Sequence, residues 1–483
     1  MNQQISSLKP QNLWKHFGEI LNIPHGSGNE KALAEHIINL AKSWNLEWQK
    51  DKVGNVVVRK PASPGYENSP GVVLQAHLDM VCEKNSEVPH DFTKDPIQAY
   101  LDQDWVKARG TTLGADNGIG VAACLAALED KTLIHGPLEC LFTVDEETGL
   151  TGAFNLGKNM LHGRYLLNLD SEDEGTFTIG CAGGADSEIS LPLERKKKKV
   201  KNLLTIKVSG LRGGHSGLDI NLGRGNALKL LARLLAQAMG KFKFELVTFT
   251  GGSKRNAIPR EAWATLSVPA NQQKSFTQFI RKSFEAIKFE YKVTEPDLAL
   301  EIKKSKDAEF PLTAELQEKL LGLILVLPHG VISMHPEIYG LVETSTNLAI
   351  VNTANQEAKI ICNTRSSILS SLEAVRLSIK VAGQMVGARL EQPEGYPAWT
   401  PNLQSPLLQK MVEIYRQLFQ QEPEIKAVHA GLECGIIGEK FTGLDMISFG
   451  PTIKYPHSPD EKVNTASVEK FWTFLVESLT KLT

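Results

Sequence analysis

Two hydrophobic rhythms alternate along the first third of the chain. Residues 11–21 and 30–44 carry apolar side chains at helical spacing, and GSGNE ahead of the second supplies a start signal. Residues 54–59, 71–76, 137–144 and 165–169 are short, β-prone apolar runs, and a helix opened by glycines is expected over Ile119–Leu128. Strands separated by helices predict an α/β fold, a mostly parallel sheet with helices on both faces.

Near residue 186 the pattern changes. Residues 203–209, 244–250 and 262–268 alternate as half-exposed strands, with a helix at 225–239 among them. A helix at 313–326, strands at 343–351 and 358–364, and a helix at 370–384 repeat the theme loosely. From about 395 the first style returns, with a helix at 404–420, a strand at 445–449 and a helix at 467–481. The expected organisation is a discontinuous α/β domain, residues 1–186 and 395–483. It is interrupted by an α+β domain over 187–394, whose two halves resemble each other weakly.

Composition narrows the function classes. A chain of 483 residues exceeds one ordinary core, and 42% apolar with 22% charged residues describes a folded chain rather than a disordered one. A net charge of −2 supplies no broad field for nucleic acid or anionic lipid, so neither is an expected partner. The basic run Arg195–Lys199, continued by Lys201, reads as a solvated hairpin or edge. Six cysteines (Cys82, Cys124, Cys140, Cys181, Cys362 and Cys434) show no zinc-finger or redox spacing, which fits reduced thiols in the cytoplasm. MNQQISSLKPQNLW is not a signal peptide, and no apolar run is long enough to span a bilayer.

The candidate chemistry sits where the predicted strands end. The 71–76 strand runs into His77 and Asp79, the next into Asp145, Glu146 and Glu147, and the 165–169 strand into Asp170. LGADNGIGVAA puts Asp116 before a helix, and the 445–449 strand leads to His457 in YPHSP. Each piece alone has an ordinary reading: a satisfied buried histidine, a helix cap, a turn residue. GADNGIG lacks the lysine and spacing of a phosphate loop. In a wound α/β sheet, however, strand carboxyl ends open onto one crevice, so these groups should converge. Gathered carboxylates repel one another unless cations neutralise them, and no basic residue is interleaved in the motifs. Two imidazoles with three or four carboxylates suit divalent zinc, with manganese or cobalt as alternatives, and are too many for one tetrahedral ion. Two ions sharing a bridge fit better, with one carboxylate of the Glu146–Glu147 pair left to take a water's proton.

The ordered set AHLD, GADNGIG, DEETG, LNLDSED, GGHSG, GGSKRNAIP and PHSP resembles the metallopeptidase family of carboxypeptidases, aminoacylases and dipeptidases. Its full length, its large insertion and HAGLECG at 429–435 are similar to the dipeptidase members. The resemblance implies that His77 and Asp170 bind one metal, Glu147 and His457 the other, and that Asp116 bridges them. It implies Glu146 as general base, Asp79 as the carboxylate orienting the His77 ring, and a cis peptide at Asp116–Asn117. It makes the inserted domain a lid carrying His215 for the oxyanion, acting in its own chain or reaching in from a partner copy's lid, with Asn256 and Arg365 for the substrate's terminal carboxylate, and a candidate homodimer interface. His429 and Glu433, four apart, would face one metal if helical, though the ligand set is already complete. The activity implied is a cytosolic dipeptidase acting on short unblocked dipeptides, including those ending in histidine. A tripeptidase, an aminopeptidase, an N-acyl-amino-acid deacylase and a non-catalytic metal-binding scaffold are the alternatives.

Overall fold

The structure, a computed structural model, describes residues 2, 4–305, 309–353 and 356–483. The chain divides into two compact units: Met1–Gly180 with Trp399–Ala427 and Leu432–Thr483, and Cys181–Ala398 with Val428–Gly431.

The first unit is organised by an eight-stranded sheet. Its order is Glu47–Lys50, Val56–Lys60, Leu138–Thr143, Val72–His77, Tyr165–Asn168, Asp445–Ser448, Thr176–Cys181 and Glu424–Val428. The parallel part expected from the sequence is its centre, from Leu138–Thr143 to Asp445–Ser448. The pairings of Glu47–Lys50, Val56–Lys60 and Thr176–Cys181 are antiparallel. Every residue of Val72–His77 and of Leu138–Thr143 is buried, as central strands covered on both faces require. Because the central strands are parallel, the residues that follow them leave the sheet at one edge. A smaller four-stranded sheet orders Ile453–Lys454, Lys462–Asn464, Trp105–Ala108 and Ala99–Asp102, and the connection between its first two strands contains His457.

The second unit is built on antiparallel strands. Their order is Ala299–Ser305, Leu203–Ser209, Ala262–Ser267, Glu245–Gly251, Val342–Asn352, Glu357–Ser366, Gly183–Pro192 and Arg389–Glu391, with Gly330–Met334 paired to Val342–Asn352. The two halves join through Thr250 and Gly251 opposite Asn352 and Val351, and one apolar core runs under both. Residues 273–290, given no element above, form an 18-residue helix that buries Phe276, Ile280, Phe284 and Ile287. That spacing is an ordinary helical signal. Lys197, Lys198 and Lys199 are exposed, flanked by single bridges from Arg195 to Leu312 and from Val200 to Glu309.

Candidate metal centre and active site

His77 closes its strand with 1% exposure, and its ring lies between two acids. Nε2 is 3.2 Å from Asp116 Oδ1 and 3.2 Å from Asp170 Oδ1. Asp116 turns its other oxygen, Oδ2, to His457 Nε2 at 3.3 Å, and that nitrogen is 3.0 Å from Glu147 Oε1. Two ligand-like groups therefore share one carboxylate: His77, Asp116 and Asp170, and Asp116, Glu147 and His457. Within each, one donor atom per residue lies within 4.8 Å of the others.

These groups fit divalent cations better than they fit each other. Glu147 Oε1 is buried and makes no aligned hydrogen bond despite the imidazole beside it. A buried carboxylate oxygen left unpaired beside other ligand-type atoms suits a cation, since a buried carboxylate otherwise costs several kcal/mol, roughly. Electrostatics without an ion shows the same tension. Burial pushes Asp170 up, and Asp116 beside it adds to the push. Burial also acts upward on Asp116, but His457 and His77 outweigh it and hold that carboxyl low. His457 is raised to about 11 by its contacts with Asp116 and Glu147.

The loops explain how the groups are held. Asp116 and Asn117 depart from helical angles inside Ala115–Glu129, and their peptide bond is cis. The Asn117 amide donates to the Leu169 carbonyl at 3.1 Å and to Asp170. Gly120 passes so close that a Cβ there would strike Asn117 Oδ1 and lie 2.9 Å from the Leu169 carbonyl, which accounts for a glycine of GADNGIG. His457 sits at φ +59°, left-handed for a residue with a side chain.

Asp79 holds more than the imidazole. His77 Nδ1 lies 3.0 Å from the backbone carbonyl of Asp79 and 3.5 Å from Asp79 Oδ1. The ring's tautomer is thus set chiefly by a carbonyl, an adjustment to the His-x-Asp expectation. The Asp79 carboxylate accepts from Glu146 N at 2.9 Å, Glu147 N at 3.2 Å and Ser27 Oγ at 2.7 Å. Burial raises it, but His77 and these donors bring it down to about 2. Glu146 is pushed well up by burial, opposed by His77 and reinforced by Asp170, Glu433 and Glu147.

Of the HAGLECG pair, only Glu433 is helical, because the helix begins there and His429 precedes it. They do not share a helical face. Glu433 Oε2 accepts from Gln75 Nε2 and Thr143 Oγ1, both at 2.7 Å. Nothing in the sequence reading above anticipates this buried layer, although the polar Gln75 two residues before His77 is its signal. Glu461, which binds the loop of Asp116, lies in a sequence context that carries no such hint.

In the second unit His215, Arg365 and His429 are neighbours. His215 Nδ1 accepts the backbone N–H groups of Gly217 at 3.2 Å and Leu218 at 3.1 Å, which places the ring proton on Nε2. Burial lowers the His215 pKa, and Arg365 lowers it further. His429 falls to about 3, from burial first and then Arg365, and its Nε2 lies 2.7 Å from Ser345 Oγ. Arg365 is 6% exposed, donates to Tyr396 OH at 2.8 Å and Ser216 Oγ at 3.3 Å, and has no carboxylate partner among the described residues. Asn256 is exposed in a turn whose carbonyl accepts from Ser216 N at 2.8 Å.

Residues 73–481 match the family described as Peptidase family M20/M25/M40. The cytosol non-specific dipeptidase of Escherichia coli is 44% identical over 480 residues, covering 99% of both chains. The crystal structure of aminoacylhistidine dipeptidase from Vibrio alginolyticus superposes with a TM-score of 0.92 at 43% identity, covering 98% of this chain and 97% of that one. A Staphylococcus aureus tripeptidase shares the fold, with a TM-score of 0.57 at 16% identity and coverage of 98% and 99%. A family match over most of the chain and a near full-length relative at 44% identity lead to one conclusion: this chain belongs to Peptidase family M20/M25/M40.

Proposed function

We propose that the chain is a cytosolic dipeptidase that works with two divalent metal ions, for which a mixed imidazole and carboxylate donor set suits zinc, with manganese or cobalt as alternatives. The carrying observation is Asp116, whose two oxygens face different imidazoles and belong to two separate ligand groups. His77 and Asp170 would hold one ion, Glu147 and His457 the other, and Asp116 both. When bound, such a pair would polarise a carbonyl and make a bound water more acidic.

The chain's own residues do the rest. Glu146 takes the proton of the attacking water and returns it to the leaving amine. Asp79 fixes the backbone of the Glu146–Glu147 pair, so the base and the ligand keep their separate directions. His215, with its proton on Nε2, donates to the oxygen that gains charge, in its own chain or in a partner copy's site. Arg365, a buried cation without an acidic partner among the described residues, receives the substrate's terminal carboxylate, with Asn256 nearby on the loop that pairs with His215.

The dipeptide class is supported by the two full-length relatives, whose names are those of dipeptidases. A cytosolic location is supported by the first relative's name and by cysteine spacing; no helix among the described residues is long and apolar enough to cross a membrane. A second copy of the chain is the expected partner of the second unit. There the helix Leu369–Met385 leaves Leu369, Leu377, Val381 and Met385 exposed, and the strand Gly330–Met334 leaves Ile332 and Met334 exposed.

The test is hydrolysis of free dipeptides, tripeptides and N-acetylated amino acids by protein supplied with zinc or manganese. Turnover of free dipeptides alone supports the reading. Preference for the acetylated substrates makes the chain a deacylase, preference for tripeptides a tripeptidase, and no turnover a binding scaffold.

A further inference from the structure

Glu461 is 2% exposed and lies four residues after His457, in the connection between Ile453–Lys454 and Lys462–Asn464. Its carboxylate accepts four consecutive backbone N–H groups. Oε2 takes Leu113 at 2.7 Å and Gly114 at 3.0 Å, and Oε1 takes Ala115 at 2.8 Å and Asp116 at 3.3 Å. These amides belong to the turn Leu113–Asp116, ahead of the kink at Asp116 and Asn117, and four successive N–H groups that converge in this way make a cradle for an anion. A buried carboxylate is costly unless its lone pairs are filled, and here each oxygen receives two donors.

The consequence reaches the metal centre through the backbone. The amide of Asp116 is one of the four donors, so Glu461 holds the residue whose carboxylate both ligand groups share. From the same loop comes His457, whose side chain is half exposed and whose backbone is left-handed. Burial of its own side chain therefore does little to fix His457 opposite Asp116 Oδ2. The anchored carboxylate four residues away does.

We propose that Glu461 is a positioning residue: it ties the loop of His457 to the helix start of Asp116, and so sets the spacing of two of the three ligands of the Asp116, Glu147 and His457 group before an ion arrives. This rests on the two-metal reading of the site.

Two variants test it. Glu461→Gln replaces one acceptor oxygen with an NH₂ that faces the backbone donors, and Glu461→Asp keeps the charge but withdraws it by one methylene. Zinc binding is followed by equilibrium dialysis with metal analysis, cobalt binding by visible absorption, and unfolding of the metal-free proteins by calorimetry. The wild-type chain should bind two ions. Both variants should bind the ion of the Asp116, Glu147 and His457 group roughly 10- to 100-fold more weakly, the usual cost of losing a group that orients a ligand, and the other ion with a smaller loss, because Glu461 holds only one of its three ligands. Dipeptide turnover in the variants should return at high metal concentration with KM unchanged.

Variants that only unfold earlier, with both ions bound as in the wild type, would reduce Glu461 to a structural cap and overturn the proposal. Loss of the folded state in both variants would count against it equally. A wild-type chain that binds fewer than two ions would overturn the two-metal reading and this inference with it.

Discussion

The carboxylate of Asp79 accepts the backbone N–H of Glu146 at 2.9 Å, closer than its 3.5 Å approach to the His77 ring. One buried acid thus links the residue proposed to move the proton with a residue proposed to hold a metal. Asp79→Ala removes the acceptor of three donors, Glu146 N, Glu147 N and Ser27 Oγ. Turnover should fall by about 10- to 100-fold through misplacement of both glutamates. Steady-state kinetics on a free dipeptide checks this; a wild-type kcat would make the Asp79 contacts incidental to catalysis.

Glu146→Gln keeps the side chain's size and removes its basicity. Bound metal should be unchanged and kcat should drop by roughly 100- to 10,000-fold, the span of general-base contributions. Metal analysis of the same sample separates a lost base from a lost ion, and near-normal turnover would end the assignment.

Arg365 and His215 should fail differently. Arg365→Ala should raise KM for dipeptides, because a cation placed for a ground-state carboxylate acts on binding. His215→Ala should lower kcat, by about 100- to 1,000-fold if its Nε2 proton meets developing charge. If both variants changed KM alone, the oxyanion role of His215 would be lost.

A pH prediction concerns a histidine away from the metal centre. Burial lowers His329 to about 4, with Lys229 adding to the effect, against 6.5 for a free imidazole. Above pH 6.5 neither the folded nor the unfolded chain protonates it. Between pH 6.5 and 4 the unfolded chain gains the proton first, so stability falls as pH falls through that window. His329→Gln should flatten the decline in melting temperature from pH 7 to pH 4.5. An unchanged slope would assign the decline to other groups.

The alternation of helical and β-prone runs was enough to place most elements, because burial imposes its period on sequence wherever a helix or strand has an inside. Helix Gln273–Glu290 had that signal too and was passed over. The candidate ligands were legible because polar residues at the ends of apolar strands contradict their surroundings: His77, Asp116, Glu147, Asp170 and His457 come together as two groups sharing Asp116. The antiparallel flanks of the first sheet were not legible, since pairing direction leaves no periodicity in the strand itself.

What the sequence by itself determined is the set of acids and imidazoles and the strand ends on which they ride, because alternation and helical spacing are local properties. Only the tertiary structure decided which groups hold them. A backbone carbonyl faces the His77 ring, Asp79 turns to the glutamates, and Glu461 reaches four amides more than 340 residues earlier in the chain. Hydrogen bonds to backbone N–H and C=O groups read no side-chain identity, so such contacts leave little trace in the order of residues until the chain has folded.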